Sequence, residues 1–131
     1  MTETVLIIED EPDIAEVLSY SLERAGFKTR AVLTGEEGLK ACLDRTNPPA
    51  LILLDLLLPG MNGLEICRRL RQEQATHHTP IVIITAKVVA NDISESLGAN
   101  YYIAKPFSVS EVVGQVRSLL LEAESASVSL R

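Results

Sequence analysis

The residues of this chain best suited to chemistry fall in four places: Glu9-Asp10-Glu11, Asp55, Thr85-Ala86 and Lys105-Pro106. Asp55 poses the sharpest question. It ends the apolar run Leu51-Ile52-Leu53-Leu54, and three more leucines and the turn-forming Pro59-Gly60-Met61-Asn62-Gly63 follow it. A carboxylate buried there without a partner would be forced neutral or would destabilise the fold. Gathered acids repel one another and raise at least one pKa, and a divalent cation relieves that repulsion. Mg2+ suits such a set, because it prefers oxygen ligands and takes one or two carboxylates together with phosphate oxygens. A carboxylate oxygen that is metal-bound and still exposed is also a competent nucleophile toward phosphorus. An in-line transfer then needs positive charge and donors around the equatorial oxygens, the parts that the ion, Lys105 and Thr85 would play.

The elements that must bring these residues together alternate along the chain. Short apolar runs at Val5–Ile8, Thr29–Val32, Leu51–Leu54, Ile81–Ile84 and Tyr101–Ala104 read as strands buried on both faces, the mark of a parallel sheet. Between them lie helical patterns. Ile14, Val17, Leu18, Leu22 and Ala25 repeat at helical spacing after Pro12 and stop at Gly26. Weaker helices are expected over Glu36–Leu43 and Val89–Leu97, and Leu64, Cys67 and Leu70 mark another. The clearest stripe runs from Val109 to Leu120, opened by Ser108 with Glu111 three residues on. The sum is a (βα)5 arrangement with right-handed crossovers and helices on both sheet faces. Open sheets of this kind bind ligands beyond the carboxyl ends of their strands, and all four groups stand there. Glu11, just before Pro12, is read as a helix cap, and Gly60 and Gly63 as backbone devices for the turn.

Composition narrows the class. With 131 residues, 47% hydrophobic and 23% charged, the chain is long enough for one domain with a real core. We place that domain at residues 1–121 and read 122–131, Glu122-Ala-Glu-Ser-Ala-Ser-Val-Ser-Leu-Arg131, as a tail or the start of a linker. Eighteen acidic against twelve basic residues give a net charge of −6, which argues against direct nucleic-acid binding. No apolar run approaches a membrane span and the N-terminus lacks a signal-peptide pattern, so no membrane insertion is expected and the location is read as cytoplasmic. Cys42 and Cys67 fall on core-facing helical positions with no neighbouring ligand set and read as small buried hydrophobes. His77 and His78 read as solvated loop residues.

From Val5 to Leu121 the chain resembles a response-regulator receiver domain, on four motifs in order: VLIIEDE, LILLDLLLPGMNG, IVIITA and YYIAKPF. The resemblance implies a doubly wound, flavodoxin-like α/β sandwich with a parallel sheet in the order 2-1-3-4-5. It makes Asp55 the phosphoacceptor and Asp10 a direct Mg2+ ligand, with Glu9 acting through water and the Leu57 carbonyl as the backbone ligand. Thr85 and the Ala86 amide would grip the phosphoryl group, Lys105 would pair with one of its oxygens, and Lys105-Pro106 is usually cis. Tyr102 would be the aromatic that swings inward when Thr85 moves. The implied partners are a sensor histidine kinase or phosphotransfer protein, a downstream output domain or protein, and a phosphorylation-dependent homodimer. The signal would pass through the face made by the fourth helix, the fifth strand and the last helix.

Two features depart from the family pattern. The acidic pair usual before the switch aromatic, which makes ion pairs across the dimer of winged-helix regulators, is replaced by Ala99-Asn100. The segment from Thr85 to Gly98 is also slightly short. Leu57 and Lys87 flank the phosphoryl position, and shielding by them predicts slow autodephosphorylation. Two other readings compete with the phosphoacceptor switch, which is not an enzyme acting on external substrates. A phosphatase of the haloacid dehalogenase type also uses an aspartate nucleophile and Mg2+, but it wants a second acid where this chain has Leu57. A pseudo-receiver would be an interaction module with a dead site, yet such domains commonly lose an acid or the lysine, and both are kept here. A flavodoxin-like electron carrier lacks support, since no Ser/Thr-rich loop follows the first strand.

Overall fold

The computed structural model describes residues 4–86 and 98–129. In chain order these form β1 (Thr4–Ile8), α1 (Pro12–Arg24), β2 (Lys28–Val32), α2 (Gly35–Cys42), β3 (Leu51–Leu54), α3 (Gly63–Gln72), β4 (Ile81–Ala86), β5 (Tyr101–Lys105) and α4 (Val109–Ser129). The helix expected over Val89–Leu97, and Lys87 with it, lies outside the described residues. All strands run parallel, in the order β2-β1-β3-β4-β5, as the resemblance implies.

Strand alternation sorts the apolar residues into two cores, one on each face of the sheet. Leu6, Ile8, Ile52, Leu54, Ile81 and Ile83 pack with Leu39 and Cys42 of α2 and with Ile66, Cys67 and Leu70 of α3. Their neighbours Val5, Ile7, Leu51, Leu53, Val82 and Ile84 pack instead with Leu18 and Leu22 of α1 and with Val112, Val116 and Leu120 of α4. Each fully buried Leu or Ile stabilises the fold by about 1.5–3 kcal/mol relative to exposure.

Four expectations need correction. β5, read as buried on both faces, is an edge strand in which only Ile103 is buried. β2 is an edge strand, and of its residues only Val32 is buried. Lys28 and Arg30 stand on it, and edge strands carry such charges because water solvates them and they discourage pairing with another chain. Val17, Leu64 and Val109, placed in the apolar stripes of α1, α3 and α4 by spacing, are exposed, since their helices turn them away from the sheet. Glu11 stands at the N-cap of α1, but its side chain makes no capping bond. Its amide instead donates to Glu9 Oε2 at 3.1 Å.

The remaining helix ends follow their local chemistry. Thr34 caps α2 through the Glu37 amide, and Asn62 caps α3 through the Glu65 amide. Ser108 Oγ accepts from the Glu111 amide at 3.4 Å at the start of α4. Gly26 follows α1 with φ +102°, a conformation that L side chains rarely adopt. Up to residue 124, Leu120 is the last buried residue of α4, with 121–124 exposed, and the helix continues beyond the expected domain end at residue 121 to Ser129.

Candidate functional site

β1 and β3 are neighbours in register, Ile8 against Leu54, so the next residues, Glu9 and Asp55, stand side by side. The ladder continues through them, for the Asp55 amide donates to the Ile8 carbonyl at 3.0 Å and the Glu9 amide to the Val32 carbonyl at 3.1 Å. The two-residue period puts Glu9 on the face of Val5 and Ile7, and Asp55 on the face of Leu51 and Leu53. Lys105, at the end of β5, shares its face with Ile103. Its ammonium donates to Asp55 Oδ2 and pairs with Glu9 Oε1, each at 2.9 Å. The other Asp55 oxygen, Oδ1, accepts from the Leu57 amide at 2.9 Å. Asp55 is thus no longer an unpartnered charge.

Asp10 completes an acidic group. One oxygen from each of Glu9, Asp10 and Asp55 lies within 4.8 Å of the others. Glu9 and Asp55 are buried and Asp10 half-buried. Burial pushes the Glu9 carboxyl above the ordinary range, against the pull of its hydrogen bonds to Lys105 and the Glu11 amide, and the Asp55 charge pushes the same way. For Lys105, burial disfavours the charge, but hydrogen bonds to Glu9 and Asp55, reinforced by their charges, outweigh it and raise its pKa. Three carboxylates face one ammonium among the described residues, so the cluster keeps an excess of negative charge. Its donors are all oxygen. Both properties fit a hard divalent cation such as Mg2+.

Thr85 and Ala86 end β4, inside the strand rather than after it, with Thr85 opposite Ala104 and Ala86 opposite Lys105. Thr85 is fully buried, and its Oγ1 has no hydrogen-bond partner among the described residues. An unpaired buried hydroxyl costs about 1–3 kcal/mol, so Thr85 brings an unspent donor to the carboxyl end of β4. The Lys105-Pro106 bond is cis. Tyr102 is half-buried against the α2–α3 core, while Leu57 is 56% exposed.

Other sequence-singled residues stay apart from this cluster. Cys42 and Cys67 are free and buried. Burial pushes their thiols up to about 12 and about 11, which makes them inert core residues. His77 and His78 are exposed. Two residues with no chemical signature in the sequence emerge instead. Glu36, in the first turn of α2, accepts from the Met61 amide at 3.0 Å. Arg71, at the end of α3, donates to the carbonyls of Gly98, Thr79, His77 and Thr76 and to Asn100 Oδ1.

Comparison with known proteins agrees with the fold. The model of the response regulator receiver domain matches residues 5–117. The chain is 39% identical, over 98% of its length, to the alkaline phosphatase synthesis transcriptional regulatory protein PhoP of Bacillus subtilis, of which it covers 53%. It is 44% identical, over 88% of its length, to the response regulator ArlR of Staphylococcus haemolyticus, of which it covers 52%. The chain thus spans about half the length of the curated relatives it matches. Among solved structures, the receiver domain of the Francisella response regulator 1452 is similar with a TM-score of 0.82 and 26% identity, over 93% of this chain and 99% of that one. The chain belongs to the response regulator receiver domain family.

Proposed function

We propose that the chain is a phosphorylation-dependent switch of a two-component pathway, with Asp55 as the acceptor. The observation that carries this reading is the cluster itself: three carboxylates within reach of one cation, with the Lys105 ammonium on two of them. An Asp55 oxygen attacks the phosphorus of a phosphohistidine on a sensor kinase or phosphotransfer protein. The P–O bond forms as the P–N bond breaks, and the donor leaves as imidazole. Lys105 then exchanges a carboxylate contact for a phosphoryl oxygen, and the unpaired Thr85 hydroxyl and the Ala86 amide donate to others. Glu9, Asp10 and Asp55 with the Leu57 carbonyl are the residues that would hold Mg2+, which when bound supplies positive charge against the phosphoryl oxygens. The position two residues after Asp55 is Leu57, so no second acid is placed to protonate a leaving group. The chain therefore acts on itself and not on external phosphoesters.

Tyr102 serves as the switch aromatic in this reading, and the surface around β5 and α4 meets an output domain or protein, or a second copy of the chain. The named relatives are regulators about twice as long, which supports an output module as the recipient of the signal. The cytoplasm, where buried free thiols stay reduced, is the compartment the reading implies. The test is intact mass after incubation with Mg2+ and acetyl phosphate. One added phosphoryl group, absent in Asp55→Asn and with EDTA, is the expected result. No gain, together with no binding of beryllofluoride, would sink the reading in favour of a pseudo-receiver.

A further inference from the structure

The loop between β3 and α3 carries both the Asp55–Leu57 turn and the Leu57 carbonyl, yet it is exposed at Leu57, Pro59, Gly60 and Asn62. Its inner end is fixed by the Leu57 amide on Asp55 Oδ1 and by the Gly63 amide on the Leu56 carbonyl at 3.1 Å. Its outer end is fixed from elsewhere. Among the described residues, Glu36 is the one side chain of another element that bonds this loop's backbone, through the Met61 amide. The packing there is close enough to require glycine twice. Gly60 has φ +75°, and a Cβ on it would lie 3.1 Å from Glu36 Oε1 and 3.3 Å from Oε2. A Cβ on Gly35 would run into the Met61 carbonyl oxygen. Glu36 itself stands on a firm base, since Thr34 caps the turn that bears it.

We propose that Glu36 is a positioning residue for the phosphoacceptor site, holding the Leu57–Met61 loop so that the Leu57 carbonyl faces the acidic cluster. This rests on the phosphoacceptor reading above. Glu36 touches no reacting atom. Its carboxylate acts by accepting one backbone hydrogen bond, a task that a neutral amide oxygen performs as well.

The experiment compares the parent with Glu36→Ala and Glu36→Gln, with Asp55→Asn as control. Mg2+ affinity is read by calorimetry, phosphorylation by acetyl phosphate is read as initial rate against Mg2+ concentration, and melting temperature is followed in parallel. Glu36→Ala should weaken Mg2+ binding about 3- to 10-fold, the equivalent of one hydrogen bond. Its rate should recover at saturating Mg2+, a split that general loosening of the fold would not give. Glu36→Gln should stay within about twofold of the parent. A Glu36→Ala protein with parental Mg2+ affinity, or a Glu36→Gln protein as weak as Glu36→Ala, overturns the proposal while the Asp55 reading stands. A parent that neither binds Mg2+ nor gains a phosphoryl group overturns that reading and this proposal with it.

Discussion

Lys105 and Arg71 both bind together segments far apart in the chain, and they do so at opposite ends of the sheet. Arg71 holds the amino-terminal end. Its guanidinium spends its hydrogen bonds on the carbonyls of Gly98, Thr79, His77 and Thr76 and on Asn100, and no carboxylate pairs with it among the described residues. Burial presses its pKa below the ordinary arginine value, but the planar fork keeps its charge and its geometry. Lys105 holds the carboxyl-terminal end and faces two buried acids with a third close by. At the same end of the sheet, in β4, the buried Thr85 hydroxyl goes unbonded among the described residues. One end is saturated by neutral oxygens and has nothing left to bind. The other holds unbalanced charge and an idle donor. Stability is concentrated where partners are complete, and ligand binding where they are missing.

The contrast can be broken at its strongest point first. Arg71→Ala should destabilise the unliganded protein by about 2–4 kcal/mol, because it strands several carbonyls at once, and urea unfolding would read the loss. Arg71→Lys should restore only a minor part, since an ammonium cannot reproduce the fork.

Lys105→Ala should cost less, about 1–2 kcal/mol, because its side chain is 19% exposed and water can screen the two acids it leaves. Mg2+ should stabilise this variant more than it stabilises the parent, as measured by thermal unfolding with and without the ion. The pH dependence has a definite sign. A raised lysine pKa gives stability that is complete below the ordinary value of 10.5 and lost as pH rises through the folded value, so the Lys105→Ala difference should shrink in strong alkali.

The smallest effect should have the opposite sign. Thr85→Val removes a hydroxyl that bonds nothing and should leave the unphosphorylated protein unchanged or more stable by up to about 1 kcal/mol. A loss above that size would mean that the hydroxyl has a structural partner, and the comparison between the two ends would weaken.

Much of this was readable before any coordinates. The central strands stand out because residues buried on both faces leave unbroken apolar runs, as Leu51–Leu54 does. The site acids stand out because a charge ending such a run needs a reason. β2 was harder: an edge strand solvates its charges, so Lys28 and Arg30 blur the pattern. Arg71 and Glu36 were beyond reach. Arg71 is one of several arginines near the end of α3, and Glu36 is one of two acids in the first turn of α2. Only the fold shows which one meets a distant backbone. The exposure of Val17 was hidden for a related reason, since helical spacing defines a stripe but not its edges.

The Lys105–Asp55 pair joins residues fifty positions apart, and Lys105 closes β5, the last of the described strands and the outermost on its side of the sheet. During synthesis, β1 and β3 emerge long before it. Their acids must therefore meet, if they meet at all, without their counter-ion. Every strand pairing is parallel, so each needs a long crossover before it forms, which makes such sheets slow to assemble. The repulsion between Glu9 and Asp55 opposes closing the centre early, and the Lys105 ammonium on β5 offsets part of it. The counter-ion of the acids is thus the last part of the cluster to be made: a chain stalled short of residue 105 would hold Glu9, Asp10 and Asp55 without the ammonium that pairs with two of them.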